Sequence, residues 1–127
     1  MSIHIKNGNI VSKDALLKDS TLVIEGPRIA AIGKAVAPGG KPQVIDAGGS
    51  FVSPGFIDSH IHGEPGDIFV NEIKSGTTAA VVALSCYRLD RMYEKVGIIK
   101  EFTKRELLGP GILGVHLEGP YINDKKA

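Results

Sequence analysis

Two short segments hold residue types that can do chemistry. Asp58-Ser59-His60-Ile61-His62-Gly63 sets two imidazoles two residues apart, and His116-Leu117-Glu118-Gly119-Pro120 sets a carboxylate two residues after another. If each segment ends a β-strand, residues at this spacing share a face, so His60 and His62 project together with Asp58 behind them. Two neutral imidazoles side by side can bind one divalent cation, and Glu118 adds the negative charge they lack. Taken alone, the His-x-His pair reads at least as well as two water-facing histidines at a strand end. Glu118 alone reads as a surface carboxylate paired with a lysine. Together the three favour a shared cation. His116 lies on the face of Glu118 and is a candidate to support the ligands from behind, with a buried structural histidine as the equal alternative.

These residues need strands to aim them. Phe51 to Ile61 is a nearly continuous apolar run broken by Pro54-Gly55, the pattern of a strand buried on both sides. Ile68, Phe69 and Ile73 predict a short helix over 67–75, with Gly76 just past its end. Thr77 to Leu84 reads as a second buried strand. Leu89, Met92, Tyr93, Val96, Ile99 and Phe102 follow helical spacing over 88–106, stopped by Gly109-Pro110-Gly111. Ile112 to Glu118 is the third strand. Strand, helix, strand, helix, strand is the order of a parallel α/β fold with right-handed crossovers, and in α/β barrels chemistry collects at the C-terminal ends of such strands. The first fifty residues read differently. Ile3-His4-Ile5-Lys6 alternates, Asn7-Gly8 signals a tight hairpin and Ile10-Val11 starts the return. Thr21–Glu25 and Arg28–Ile32 pair around Gly26-Pro27, residues 37–42 form a loop, and Gln43–Asp46 is another strand. The expectation is a small antiparallel sheet or half-sandwich.

The 127 residues are 43% apolar and 23% charged with a net charge of +1, so charge gives no reason to expect nucleic acid or an anionic membrane as partner. No apolar run approaches a bilayer span, and the alternating N-terminus lacks the apolar stretch of a signal peptide. A single cysteine, Cys86, cannot close an internal disulfide, which points to a reducing cytoplasm. Cys86 itself reads as a small buried side chain near a strand end. His4 reads as solvent-facing, Met92, Tyr93 and Phe102 as the core face of a helix, and Lys125-Lys126 as a solvated tail. Gly39-Gly40 and Gly48-Gly49 serve turns and lack the strand-to-helix setting of a nucleotide loop.

Pro54-Gly55-Phe56-Ile57-Asp58-Ser59-His60-Ile61-His62-Gly63 resembles the first-strand signature of the amidohydrolase superfamily. His116-Leu117-Glu118-Gly119-Pro120-Tyr121-Ile122-Asn123 resembles the metal-carboxylate motif of the N-acetylglucosamine-6-phosphate deacetylases. Lesser matches at 7–11, 26–33, 46–49 and 76–78 carry the resemblance along the chain. It implies a (β/α)8 barrel flanked by a small β-sandwich, with 1–50 the N-terminal part of the sandwich and 51–127 the first β/α units of the barrel. It implies His60, His62 and Glu118 as ligands of one or two divalent ions, zinc or iron foremost, with His116 and Asp58 supporting them. The implied reaction is deacetylation of an N-acetylated amino-sugar phosphate by metal-activated water, with a general-base aspartate from a strand beyond Ala127. A small-molecule substrate and a homodimer of the full-length protein complete the implied picture. The 63–76 stretch, shorter than in the deacetylases, and Ala83-Leu84-Ser85-Cys86 depart from the deacetylase pattern.

Such a barrel takes about 250 residues and eight strands, and three parallel strands leave an unpaired edge. The expectation is therefore an N-terminal fragment, inactive and aggregation-prone in isolation. Two other readings stand beside deacetylation. A cyclic-amidase or deaminase specificity is one, although cyclic amidases commonly bridge their metals with a carboxylated lysine, which the Glu118 motif disfavours. A non-catalytic binding or assembly module is the other, recognisable as a stable metal-free monomer.

Overall fold

A computed structural model describes residues 1–34, 36, 41–104, 111–123 and 125, and the chain divides into two compact units, Met1–Pro54 and Gly55–Ala127. In the first unit β1 (Ser2–Val11), β2 (Leu16–Glu25), β3 (Arg28–Gly33), β4 (Gln43–Asp46) and β5 (Phe51–Val52) share one sheet, ordered β3-β2-β1-β4 with β5 also on β1. The β1–β2 and β2–β3 pairs are antiparallel, the second turning at Gly26-Pro27 as expected. β4 and β5 join β1 in parallel, so the sheet is mixed, not antiparallel. Residues 37–40 of the expected loop at 37–42 lie outside the described residues.

Asn7-Gly8 does not turn the chain. Asn7 takes φ 55°, β1 runs on to Val11, and the register with β2 shifts on either side of Gly8. The dipeptide forms an irregularity in the strand, and it ties down the segment after β4. Asn7 Nδ2 donates to Asp46 Oδ1 at 3.0 Å, and the Gly49 N–H donates to the Asn7 carbonyl at 2.7 Å. The hairpin closes later, where the Ser12 N–H donates to the Ala15 carbonyl at 3.0 Å. His4 is not solvent-facing: it is 1% exposed, on the central strand opposite buried Val23, and its Nδ1 has no hydrogen-bond partner among the described residues. A central strand is covered along both edges, which periodicity alone does not reveal.

In the second unit the order is β6 (Phe56–Ile61), α1 (Pro65–Glu72), a 3-10 turn at Ile73–Ser75, β7 (Thr77–Leu84), α2 (Leu89–Thr103) and β8 (Gly111–Leu117). The three strands are parallel in the order β6-β7-β8. Pro65 sits in the first helical turn, where its missing N–H costs nothing, so α1 begins before Asp67. The core joins Ile68 of α1, Ala80, Val82 and Leu84 of β7, Ile99 of α2 and Ile112 of β8. β6 is not buried on both sides, since an edge strand has one neighbour and Phe56 and Ile57 are exposed. Phe51-Val52, expected to lead into this strand, pairs with β1 instead. On α2, Met92 and Ile99 are buried and Phe102 packs against the core cluster that holds Ile99, but Tyr93 is 76% exposed. One residue past Met92 is about 100° around the helix, outside the buried stripe. The expected helix end at 105–106 and the Gly109-Pro110 stop lie outside the described residues. No helix among the described residues is long and apolar enough to cross a membrane.

Candidate metal centre

β6 delivers His60 one residue before its end and His62 one residue after it. The strand carries an irregularity on the way: Asp58 pairs with Ala80 but Ile61 with Val82, three residues of β6 against two of β7. Such an irregularity frees a backbone donor from the ladder. The Asp58 carboxylate takes it, Oδ1 accepting from the His60 N–H at 2.9 Å. Asp58 thus fixes the backbone of His60. β8 ends at Leu117, and the Glu118 N–H donates to the Leu84 carbonyl at 3.0 Å, so the β7–β8 pairing extends one step and holds Glu118 beside the end of β7. The Gly119–Pro120 peptide that follows is cis.

The three side chains converge. His60 Nε2 lies 2.9 Å and His62 Nε2 3.2 Å from the same Glu118 Oε1, and one donor atom from each residue falls within 4.8 Å of the others. The two histidines are about half exposed while the Glu118 side chain is 29% exposed, so the site opens to solvent with its carboxylate set deeper. The His60 ring stacks edge-on between two others, with centroids 5.2 Å from His62 and 4.9 Å from His116. His116 therefore touches His60, and it is exposed rather than a buried structural histidine, because it lies near the open C-terminal end of β8.

This donor set fits a divalent cation. Ligand bonds of about 2.0–2.2 Å set neighbouring N and O donors about 3.0 Å apart at a right angle and about 3.4 Å apart at the tetrahedral angle. The two separations from Glu118 Oε1, 2.9 and 3.2 Å, lie close to that range, and all three donor atoms fall within 4.8 Å of one another. Two imidazoles and one carboxylate leave coordination positions for water or substrate, the pattern of catalytic more than structural sites.

A cleft of about 490 Å³ opens beside His62, walled by Ser85, Tyr87 and Lys95, a size suited to a small molecule. Lys95 Nζ donates to Glu64 Oε1 at 2.8 Å and lies 5.4 Å from the Tyr87 ring centroid. Hydrogen bonding to Glu64 holds the Lys95 ammonium above the ordinary lysine range, so it stays cationic. Sequence reading passed over Glu64, Tyr87 and Lys95. The one available signal was Glu64 directly after His62-Gly63, since a lysine 31 residues away gives none. Cys86 is exposed rather than buried, because it lies beyond the end of β7, where its Sγ donates to the Pro120 carbonyl at 3.3 Å.

No protein-family model matches the chain. A dihydroorotase of Staphylococcus epidermidis is 45% identical over 78 residues, which is 60% of this chain and 18% of that protein. A Staphylococcus aureus dihydroorotase is 42% identical over 77 residues, again 60% and 18%. Among solved structures, N-acetylglucosamine-6-phosphate deacetylase from Pasteurella multocida superposes with a TM-score of 0.78 at 26% identity, over 99% of this chain and 36% of that one. A D-hydantoinase superposes with a TM-score of 0.66 at 27% identity, over 98% and 28%. The chain thus spans about a fifth to a third of the proteins it is similar to.

Proposed function

We propose, on the premise that the structural neighbours and sequence relatives of this chain are amidohydrolase-superfamily proteins, that His60, His62 and Glu118 hold a catalytic divalent metal, zinc or iron, in an amide hydrolase. The observation that carries the reading is the convergence of both Nε2 atoms on one Glu118 oxygen. The metal, when bound, supplies Lewis acidity toward an amide carbonyl and an activated water. His60 and His62 donate neutral nitrogens, and Glu118 offsets the cation's charge. Asp58 holds the His60 backbone, and His116 limits the swing of the His60 ring. In the full-length protein we assign β6, β7 and β8 as the first strands of a (β/α)8 barrel and the first unit as part of a β-sandwich. The general-base aspartate then comes from a later strand, and 1–127 alone is inactive. A cytoplasmic homodimer fits this reading.

Within amide hydrolysis, deacetylation of N-acetylglucosamine 6-phosphate stands first. It is supported by the His116-Leu117-Glu118-Gly119-Pro120 segment and by the superposition over 99% of the chain. Opening of a cyclic amide is the second reading, favoured by the 45% identity to a dihydroorotase. The test is the full reading frame, loaded with zinc and assayed for acetate release from N-acetylglucosamine 6-phosphate and for ring opening of dihydroorotate. Acetate release that Glu118→Gln lowers at least about 100-fold supports the first reading. Ring opening without acetate release replaces it with the second. Metal-independent activity on either substrate overturns both.

A further inference from the structure

We infer that Lys95, acting with Glu64 and Tyr87, is a strut that fixes where His62 presents its imidazole. The inference rests on the metal-centre reading above. His62 lies past the last residue of β6 and is followed at once by Gly63 at φ 149°, a conformation L side chains rarely adopt. A Cβ on Gly63 would come within 3.2 Å of Ile68 Cγ1, so the segment lies tight against α1. The Glu64 carbonyl accepts from the Asp67 and Ile68 N–H groups at 3.0 and 3.1 Å, which builds its backbone into the first turn of α1. Its carboxylate reaches the other way, to Lys95 on α2. Lys95 is the better covered partner, its side chain 25% exposed against 62% for Glu64, and Tyr87 lies beside its ammonium.

The loop after His62 is therefore held on two sides. One hold is the start of α1. The other is α2, which Met92 and Ile99 anchor in the core three and four residues from Lys95 on either side. A metal ligand keeps its aim only when its support is locked, and His62 has no strand ladder beyond Ile61 to lock it. The competing account is an ordinary surface ion pair that contributes little. The two accounts differ in one respect: only the strut couples Lys95 to the position of His62.

The experiment uses the whole chain, with zinc as the probe titrated against a competing chelator. Lys95→Met weakens zinc binding about fivefold, the combined scale of one screened ion pair and one exposed cation–π contact, and Glu64→Gln, which leaves Lys95 over Tyr87, about twofold. Lys95→Arg restores binding to within about twofold of wild type. Raising salt weakens zinc binding more in wild type than in Lys95→Met, because only wild type has an ion pair to screen. The metal-free protein gives a separate readout. In Lys95→Met the His62 ring-nitrogen resonances shift, in Lys95→Arg they stay, and those of His116 stay in both. Zinc binding and His62 resonances unchanged in both Lys95→Met and Glu64→Gln overturn the strut. If His60→Ala and Glu118→Gln bind zinc as tightly as wild type, the metal-centre reading fails instead, and the metal-free His62 resonances still decide the strut.

Discussion

Gly55→Ala should damage the strand that carries the histidines, and its size can be worked from the contacts. An ideal Cβ at Gly55 falls 2.5 Å from Thr78 Oγ1 and 2.8 Å from Thr78 Cβ, and against Cγ2 as well. Carbon atoms in good contact lie about 3.5–4.0 Å apart, so β6 and β7 must part locally by at least about 1 Å. Thr78 cannot simply turn aside: a β-branched side chain is stiff at χ1, and its hydroxyl donates to the Phe56 carbonyl at 3.3 Å. The strain falls on the start of β6, where Phe56 pairs with Thr77 and its N–H donates to the Gly76 carbonyl. Overpacking of this kind costs about 1–3 kcal/mol. At about 4–8 °C per kcal/mol for a unit of this size, the melting temperature of the second unit drops by about 5–20 °C. Thr78→Ala removes Oγ1 and Cγ2 but keeps the 2.8 Å contact, so the double variant recovers part of the loss. Gly97→Ala is the control, an exposed glycine inside α2 with open space around its would-be Cβ. It should raise the melting temperature, since alanine in a helix is favoured by about 0.5–1 kcal/mol. Thermal unfolding followed by circular dichroism reads all four proteins. A Gly55→Ala protein melting within a degree of wild type would refute the packing argument.

Two further outcomes test the first unit. His4→Leu should unfold at higher urea by the equivalent of about 1 kcal/mol, because it removes a buried Nδ1 that lacks a partner; a lower midpoint would show the imidazole to be stabilising. Asp46 is held below the ordinary carboxylate range, first by the Gly48 N–H at 2.9 Å and then by Asn7. A depressed folded-state value means stability that is present above the unfolded value near 3.8 and is lost as pH falls through the folded one. Asp46→Asn should therefore be the weaker protein at pH 7 and converge on wild type in acid; a urea-midpoint gap that does not change with pH would contradict this.

The parts of the fold legible in the sequence are those set by local pattern. Thr77–Leu84 has a run of small and β-branched residues, and β7 occupies those residues. Gly26-Pro27 between two apolar runs turned as expected. What stayed hidden depends on neighbours distant in sequence. Asn7-Gly8 carries a hairpin signal, yet Asp46 and Gly49 arrive from about forty residues away and hold it inside a strand. His4 looked exposed because alternation does not say that β2 and β4 flank its strand. Tyr93 fitted a helical stripe by spacing, but the stripe that α2 buries is narrower than the run of apolar letters. At the candidate centre the two-residue spacing of His60 and His62 put both on one strand, and the strand order with the family resemblance brought Glu118 to the same end, where the three side chains meet. The departure from strict alternation between Asp58 and Ile61, which sends the Asp58 carboxylate to a backbone N–H, had no sequence signature.

The most direct trial of the account is the first coordination sphere of zinc in the loaded protein, read by X-ray absorption and by anomalous diffraction. The expected result is an ion bonded to His60 Nε2, His62 Nε2 and a Glu118 oxygen at about 2.0–2.2 Å. Zinc bound to other residues, or a Glu118 carboxylate turned away from an ion held by the two imidazoles, would contradict it.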